Sequence, residues 1–405
     1  MQETSPALIP RLLESELGSA LASSGKIVLL FGPRQSGKTT LARSVLALRP
    51  ELAVLSLTGD DPSDRRELVD RDASALSRLV AGKDCLFVDE AQRIPDIGRT
   101  LKLLHDSCPN IEILATGSSS FNLASKTVEP LTGRALSYIL YPIAAAELAI
   151  GHDNRDLEQS MDDILAHGMY PEVRCLAARE QKRRALREIA NAYLYKDVLE
   201  FGGIRHADRI PDLLRLLAFQ VGSEVSIAEL GSSLGLGRDT VDRYIDVLEK
   251  AFVLFRLRGY SRNLRKEVTK MDKIYFYDIG IRNMVIDNLA EPAFRDDEGR
   301  IWENFLVAER RKILEYRSSF AQPWFWRLRT GAELDYVEEE NGKLYGFEFK
   351  YGDKTPPCPS AWEATYPGST YEVVNRNTWL GFALGEALDG RTIIPPSRVE
   401  PRQTS

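Results

Sequence analysis

The stretch Ile27–Thr40, IVLLFGPRQSGKTT, decides the fold of the first part of the chain. Its apolar start, Ile27–Phe31, predicts a buried strand, and the apolar run Leu41–Leu48 predicts a helix after it. The connection between them fits the phosphate-loop pattern G-x-x-x-x-G-K-[S/T] at every specified position. In such a loop, backbone N–H groups and the helix N-terminus converge on a polyphosphate. The sequence therefore predicts that this region binds a nucleoside triphosphate.

Two side chains of the loop carry its predicted chemistry. Lys38 would neutralise the terminal phosphates, and the Thr39 hydroxyl would ligate Mg²⁺. ATP and Mg²⁺ are therefore the expected cofactors. We expect the nucleotide to contact Gly32, Pro33, Arg34, Gln35, Ser36, Gly37, Lys38, Thr39 and Thr40.

A second strand is predicted at Ala53–Leu57, and a third, apolar strand starts at Cys85 and ends in the two carboxylates of Asp89 and Glu90. Asp89 is placed to hold Mg²⁺ through water, and Glu90 to polarise the water that attacks the terminal phosphate. Gln92 lies on the next turn, and we interpret it as a surface residue. This strand end is the predicted centre of ATP hydrolysis.

A further strand, starting at Ile111, ends in small hydroxyl residues. Thr116 or Ser118 could contact the terminal phosphate or the attacking water. A serine there could instead cap the next helix. The later turn carries Arg134, which is either an arginine finger, in cis or across a subunit boundary, or a partner in a structural salt bridge.

The motifs GPRQSGKTT, LFVDEAQ, ATGSSSF, LTGRA and YPIAAAEL occur in this order. Together they resemble the AAA-type ATP-binding proteins of bacteria and archaea that carry a C-terminal domain of unknown function. The resemblance spans most of the chain and implies an ATPase core with a parallel sheet. It also implies that Glu90 is the catalytic acid and Ser118 the sensor.

The composition limits the classes of protein. With 405 residues the chain is too long for one ordinary core, and 43% hydrophobic with 28% charged residues is typical of a soluble globular protein. With a formal charge of −6, the chain has no overall positive field that would attract it to nucleic acid or to a membrane. The four cysteines show no disulfide or zinc spacing. No signal segment and no apolar run of about 20 residues is present, which predicts a cytoplasmic protein without a membrane span.

The middle of the chain predicts helices and a winged helix. Residues 155–200 have helical spacing, interrupted at Gly168–Pro171, as expected for the small lid of an AAA-type protein. Three amphipathic segments between residues 210 and 252, a glycine-containing turn and two strands predict a winged helix. The exposed face of its last helix holds four acids and three bases, which disfavours contact with phosphates.

The segment from Arg256 to Lys273 is more basic. It is predicted either to hold a DNA backbone or to form a solvated wing that pairs with neighbouring acids. Docking of a protein partner or of a second copy is the alternative role of this module. The basic residues of the predicted DNA contact are Arg256, Arg258, Arg262, Arg265, Lys266 and Lys270.

Near the C-terminus, two strands joined by a turn at Asn341–Gly342 carry Asp335, Glu348 and Lys350 in the pattern D…E-x-K. Glu348 and Lys350 leave the same face of their strand because they are two residues apart. This resembles the restriction-endonuclease-like superfamily, in which these groups and an acid on the first helix surround Mg²⁺. The resemblance implies that Glu303 is the acid on the first helix, that Asp335 and Glu348 are the metal ligands, and that Lys350 steadies the attacking water. A nuclease-like fold without cleavage is the alternative.

The predicted fold class is therefore α/β, with a P-loop AAA-type core, a helical lid, a winged helix and a small nuclease-like domain. The expected boundaries are 1–152 for the core, 153–204 for the lid, 205–280 for the winged helix, 281–394 for the nuclease-like domain and 395–405 for a tail. The leading hypothesis is a DNA-associated ATPase in which nucleotide state controls the nuclease-like end. The alternative is a nucleotide-dependent switch that docks proteins and has no nuclease chemistry.

Overall fold

The computed structural model describes residues 9–118, 131–150, 153–191, 206–261 and 271–385. They include three separate sheets. The first is parallel, in the order β2-β3-β4-β1-β5. Its strands are β1 (Ile27–Phe31), β2 (Val54–Thr58), β3 (Cys85–Asp89), β4 (Glu112–Gly117) and β5 (Ala135–Ile139).

The parallel arrangement positions the predicted ATP site. β1 lies next to β4, and β4 lies next to β3, so the carboxyl ends of all three strands meet at one edge of the sheet. The strands predicted from Ile27, Cys85 and Ile111 are confirmed as β1, β3 and β4. The helices of this region are α1 (Leu13–Ser23), α2 (Lys38–Ala47), α3 (Pro62–Leu68), α4 (Ala73–Leu79), α5 (Ile97–Ser107) and α6 (Ala145–Ala149).

Helix α3 was not expected, because residues 60–71 carry many charges and indicate a polar connection. A helix forms because the Asp61 carboxylate accepts a hydrogen bond from the Ser63 backbone N–H at 2.7 Å, and Pro62 occupies the first turn. Both features favour a helix start. Local capping therefore outweighs the charged composition of this segment.

Three helices follow in the described part of the predicted lid region, residues 153–191: α7 (Asn154–His167), α8 (Pro171–Cys175) and α9 (Arg179–Asn191). The break predicted at Gly168–Pro171 is confirmed, since Gly168 ends α7. Residues 192–205, at the end of the predicted lid, lie outside the described residues.

Residues 206–276 are here called the central module, and its described parts, 206–261 and 271–276, hold three α-helices and a small antiparallel sheet in the order β6-β8-β7. The three predicted amphipathic helices and the two predicted strands are present, and β6 adds a strand of two residues that was not foreseen. The elements are α10 (Ile210–Phe219), α11 (Ile227–Leu234), α12 (Arg238–Lys250), β6 (Glu224–Val225), β7 (Leu254–Leu257) and β8 (Asp272–Phe276).

The C-terminal sheet is mixed, in the order β12-β11-β10-β9, with β12 parallel to β11. The predicted turn joins β10 to β11 with positive φ at both Asn341 and Gly342, as a two-residue hairpin requires. The elements of this part are α13 (Ile279–Val285), α14 (Glu298–Tyr316), β9 (Gln322–Arg327), β10 (Glu333–Glu340), β11 (Lys343–Phe349), α15 (Ser360–Thr365), β12 (Thr370–Val374) and α16 (Trp379–Leu384).

The parts of the chain are packed against one another. One cluster of buried apolar residues extends from Leu13 to Ala383, and a smaller aromatic cluster lies around Trp326 and Trp362. Backbone bonds also join the central module to β9: Tyr260 N–H donates to the Phe325 carbonyl at 2.6 Å, and Phe325 N–H donates to the Arg258 carbonyl at 2.9 Å. Within the described residues, no helix is both long and apolar enough to cross a membrane.

Candidate functional site

The first position of the phosphate loop requires glycine, because the backbone of another segment passes close to it. Gly32 has φ +146°, and a Cβ there would lie 2.1 Å from the Leu140 carbonyl oxygen. The Leu140 N–H donates to the Phe31 carbonyl at 2.8 Å, so the chain after β5 runs directly beside the loop. Gly37, with φ +95°, then leads into α2. The predicted strand, loop and helix are therefore confirmed as one unit.

Lys38 is the first residue of α2 and is buried. Its ammonium donates to the carbonyls of Gly32 at 3.0 Å and Pro33 at 2.8 Å. The side chain thus folds back over its own loop, with its charge at the carboxyl edge of the sheet. Of the other predicted loop residues, Ser36 is buried, Arg34 is half-buried, and Gln35 and Thr40 are exposed.

Asp89, at the end of β3, holds hydroxyls from two neighbouring elements. The Thr39 hydroxyl on α2 lies 3.0 Å from both carboxylate oxygens, and the Thr116 hydroxyl on β4 donates to Oδ1. The structure therefore brings together three residues that are distant in sequence. Their oxygen atoms are of the type that Mg²⁺ prefers.

Glu90 takes a left-handed backbone conformation, with φ +48°, directly after β3. Its backbone N–H is 3.3 Å from the Thr116 hydroxyl, so the turn is fixed against β4. For a residue with a side chain this conformation is uncommon and clusters at functional sites. The turn sets the direction in which the Glu90 carboxylate leaves the sheet.

Gln92 joins Glu90 to Ser118, which corrects our interpretation of it as a surface residue. Its amide nitrogen donates to the Glu90 carboxylate at 2.5 Å and to the Ser118 hydroxyl at 3.0 Å, and its amide oxygen accepts from the Ser118 N–H at 3.3 Å. Gln92 can do this because β3 and β4 are neighbours, so their ends are adjacent. The motif LFVDEAQ contained the residue, but the strand order needed to interpret it was not known.

Arg11 was not singled out from the sequence, yet it contacts the loop. Its guanidinium donates to the Ser36 and Tyr141 carbonyls, both at 2.7 Å, and pairs with the buried Glu147 at 3.1 Å. Beside Gly37, a cavity of about 350 Å³ separates the residues around Arg11 from α8. Apolar side chains of this cavity include Ile9, Leu41, Ile143 and Leu176.

Arg134 lies away from this site. It immediately precedes Ala135, which pairs with Ile27 at the start of β1, whereas the phosphate loop follows the end of β1. Its guanidinium donates to the exposed Asp106 at 2.8 Å. Arg134 therefore lies at the end of the strands opposite to the phosphate loop. The salt bridge is the alternative that the structure favours.

In the C-terminal part, Glu303 on α14 meets two side chains of the central module. The Lys273 ammonium lies 3.0 Å from Glu303 Oε1, and the Tyr275 hydroxyl donates to the same oxygen at 2.6 Å. Burial, together with the charge of Asp335, raises the pKa of Glu303 to about 7, against the opposing effect of Lys273. The predicted helix acid is thus already engaged by a cation.

The D…E-x-K residues are also brought together. Lys350 donates to Glu348 at 2.5 Å, and the charge of Asp335 adds to burial in raising the pKa of Glu348. Asp335 accepts from the Phe349 N–H at 2.8 Å and lies 3.9 Å from the Lys273 ammonium. The spacing of the D…E-x-K pattern therefore predicted that these side chains lie close together.

The predicted metal site at Asp335 and Glu348 stays a prediction, and the structure shows its carboxylates in ion pairs. In the part of the chain that is described, no group of three or more His, Cys, Asp or Glu residues is arranged to hold a metal ion. The reason is that Lys273 and Lys350 already lie against these carboxylates. Glu303, Asp335, Glu348 and Lys350 therefore take part in ion pairs in this structure, and their assignment to metal-dependent cleavage stays a prediction.

The predicted DNA contact is weakened in the same way. Arg256 is largely buried and pairs with Asp242, Asp246 and Glu249 of α12. It therefore neutralises the acidic helix face and is not presented to a phosphate backbone. Arg258 is exposed, while Arg262, Arg265, Lys266 and Lys270 lie outside the described residues.

These features define the class of protein: a P-loop ATPase fold with an elaborate C-terminal half. The model of an AAA domain matches residues 24–149, and two models of domains of unknown function, DUF8612 and DUF4143, match residues 158–291 and 298–360. The uncharacterized protein Rv2008c of Mycobacterium tuberculosis is 32% identical over 328 residues, which cover 80% of this chain and 70% of that protein. The uncharacterized protein MJ1544 of Methanocaldococcus jannaschii is 25% identical, over 77% of this chain and 72% of that protein. The chain belongs to this family of bacterial and archaeal proteins, with an AAA domain followed by DUF4143.

Two solved structures are more distantly similar. AMPPCP-bound DnaA from Aquifex aeolicus is 15% identical, with a TM-score of 0.31 over 59% of this chain and 88% of that chain. Drosophila ORC bound to AT-rich DNA and Cdc6 is 14% identical, with a TM-score of 0.24 over 68% of this chain and 91% of that chain. TM-scores this low do not establish a common fold along the chain.

Proposed function

We propose that this protein is a Mg²⁺-dependent ATPase whose nucleotide state controls a protein-docking C-terminal half. The observation that carries the proposal is the hydrogen-bonded group at the carboxyl edge of the parallel sheet. There Asp89 holds Thr39 and Thr116, while Gln92 ties Glu90 to Ser118. This arrangement supports Asp89 as the metal-binding acid and the adjacent Glu90 as the acid that activates water.

The residues present fit both cofactors. The loop offers backbone N–H groups and the Lys38 ammonium, which suit a polyphosphate. Thr39 and Asp89 offer hard oxygen donors within reach of each other. Bound Mg²⁺ would supply charge neutralisation on the phosphates.

The chain's own residues then have distinct tasks. Lys38 exchanges its contacts with the Gly32 and Pro33 carbonyls for phosphate oxygens. Glu90 accepts a proton from the attacking water, and Gln92 keeps the Glu90 carboxylate aimed at the edge of the sheet. The cavity beside Gly37 has the size and apolar walls suited to a nucleoside.

A continuous set of contacts supports coupling between the loop and the C-terminal half. Arg11 touches the loop at Ser36 and pairs with Glu147. Near Glu147, at the start of α6, the Ala145 N–H donates to the Glu309 carboxylate of α14 at 2.6 Å. Helix α14 therefore contacts the same short segment that positions Arg11. This continuity supports the proposed coupling.

The order of elements in the central module supports a winged helix, and the mixed C-terminal sheet supports a nuclease-like fold. Docking of a protein is favoured over DNA because α12 presents acids that are paired with Arg256. Cleavage is not part of the proposal, since the carboxylates that would serve it are engaged by lysines.

The proposed ATPase activity is tested with two variants of the full chain. Lys38→Ala should weaken binding of a fluorescent ATP analogue, because it removes a phosphate-neutralising charge. Glu90→Gln should keep binding and lower phosphate release by roughly 100-fold or more, since general-base catalysis contributes that much. The matched control is Lys26→Ala, an exposed lysine just before β1. Hydrolysis at the wild-type rate in both site variants would refute the assignment.

The choice of protein docking over DNA binding is tested by fluorescence anisotropy with labelled duplex DNA. The measurement is made at several salt concentrations, with and without ATP and Mg²⁺. We expect no saturable binding. Binding that weakens steeply with salt, and that is lost when Arg262, Arg265 and Lys266 are neutralised together, would replace protein docking by DNA association.

A further inference from the structure

Lys273 belongs to a different part of the chain from the carboxylates it contacts. It lies on β8 of the central module, where it pairs in register with Glu224 of β6 and Leu257 of β7. Tyr275, two residues further along β8, leaves the same face of the strand, and both side chains reach Glu303 Oε1. The central module thus inserts two donors into the cluster formed by Glu303, Asp335 and Glu348, here called the carboxylate cluster.

The Lys273 ammonium is placed as a cation among anions. Its side chain is 6% exposed and has carboxylate oxygens at 3.0 Å, from Glu303, and at 3.9 Å, from Asp335. The ring centroid of Phe325 lies 5.5 Å away, which adds an attractive aromatic face. Although burial lowers the pKa of Lys273, the two acids raise it above its ordinary value, so the amine stays charged.

A divalent ion would need this same space. Mg²⁺ binds several oxygen ligands at about 2 Å, and a fixed ammonium beside the same oxygens would repel it. Glu348, the remaining acid, has a cation of its own in Lys350 at 2.5 Å. Each part of the carboxylate cluster is therefore neutralised by a side chain.

We propose that Lys273 takes the place of a metal ion in the carboxylate cluster, and that this ion pair fastens the central module to the C-terminal sheet. The inference is independent of the ATPase proposal, because it concerns residues that the phosphate loop does not touch. It explains why a D…E-x-K pattern with its helix acid is assembled here without forming a metal site.

The first experiment measures thermal unfolding of the full chain. Lys273→Met keeps most of the side-chain volume but removes the charge, which leaves buried carboxylates without a cation. We expect Tm to fall by roughly 5 °C or more. Adding Glu303→Gln to that variant should recover part of the loss, whereas Lys273→Arg should retain most of the wild-type Tm. The matched control is Lys343→Met, an exposed lysine of the β10–β11 hairpin.

The second experiment titrates Mn²⁺ alone, without nucleotide, and follows free Mn²⁺ by electron paramagnetic resonance. All proteins carry Asp89→Asn to remove ions bound near the phosphate loop. We expect no binding to the protein that retains Lys273, and Mn²⁺ binding with a raised Tm in Lys273→Met that Asp335→Asn abolishes.

Three results would overturn the proposal. One is Mn²⁺ binding that depends on Asp335 while Lys273 is present. Another is a Lys273→Met variant that gains neither Mn²⁺ binding nor Mn²⁺-dependent stability. The third is a double variant with Glu303→Gln that is no more stable than Lys273→Met alone. If Lys273→Met does not fold, the titration of the Lys273-containing protein with and without Asp335→Asn still decides the question.

Discussion

At the scale of single residues, the candidate ATP site depends on side chains that orient other side chains. Lys38, Asp89 and Glu90 were predictable because their motifs specify both residue type and spacing. Gln92 was not, because its role arises only when β3 and β4 lie side by side and bring Ser118 within 3.0 Å. Arg11 was missed for a similar reason, since its partners Ser36 and Tyr141 lie 25 and 130 residues away in the sequence.

Gln92→Ala should separate binding of ATP from its turnover. The variant loses the bond that holds the Glu90 carboxylate, so phosphate release should fall roughly 10- to 100-fold while nucleotide affinity stays within a few fold. The measurement is steady-state phosphate release together with a nucleotide titration. The exposed Gln322 on β9 offers a matched control, Gln322→Ala. A normal rate in Gln92→Ala would show that Glu90 is oriented without it.

Arg134→Ala should leave ATP turnover unchanged. The guanidinium pairs with Asp106 at the amino ends of the strands, away from the phosphate loop, which follows the carboxyl end of β1. Because both side chains are exposed, little change in Tm is expected either. Turnover is measured across a range of protein concentrations. A drop of tenfold or more that appears only at high concentration would instead reveal an arginine supplied across a subunit boundary.

At the scale of elements, sequence periodicity predicted most long helices and strands but not their pairing. Two of the elements that were not predicted are short: α3 forms through its cap at Asp61, and β6 has two residues. A strand this short has no periodicity to detect and exists because β8 offers it partners. Elements of this kind are defined by their neighbours in the fold.

The contact between α7 and α13 gives a prediction for an element pair. A Cβ at Gly280 would lie 2.1 Å from the His167 carbonyl oxygen, at the end of α7, so Gly280→Ala should force the two helices apart and lower Tm markedly. Gly299, at the exposed start of α14, has open space for at least 4 Å around the position that a Cβ would take. Gly299→Ala should therefore be neutral or stabilising by up to about 1 kcal/mol. Thermal unfolding of both variants tests the pair, and equal Tm values would mean that the close approach at Gly280 relaxes without cost.

At the scale of the whole molecule, the carboxylate cluster shows where motif-based prediction ends. Asp335, Glu348 and Lys350 met as their spacing indicated. Their partner Lys273 could not be inferred, because it comes from a strand about sixty residues earlier in the chain and belongs to another sheet. A motif specifies the groups it contains, whereas the packing of the entire chain decides which charges reach them.

Asp297, just before α14, is expected to make the stability of the fold depend on pH in the acid range. Although partial burial raises the pKa of Asp297, the hydrogen bonds and charges of Arg295 and Arg282 lower it to about 2 from its ordinary 3.8. A carboxyl whose pKa is lowered on folding adds stability above its unfolded pKa and loses it as pH falls through the folded value. Asp297 should therefore contribute about 2 kcal/mol at neutral pH, a contribution that disappears between about pH 4 and pH 2.

Urea unfolding at a series of pH values checks this expectation. Asp297→Asn should be less stable than the wild type at pH 7, and the difference should shrink toward pH 2. The exposed Asp353 supplies a matched control, Asp353→Asn, with no such convergence. A constant gap between Asp297→Asn and the wild type at all pH values would contradict the assigned pKa.

The backbone bonds between Phe325 and residues 258–260 have a consequence for handling parts of the protein. β9 is the outermost strand of the C-terminal sheet, and this short bridge covers part of its open side. An uncovered strand edge invites pairing with a strand of another molecule. A fragment that begins after the central module would lose both this cover and the ammonium of Lys273. Such a fragment would self-associate, so the C-terminal half is best produced with the central module still attached.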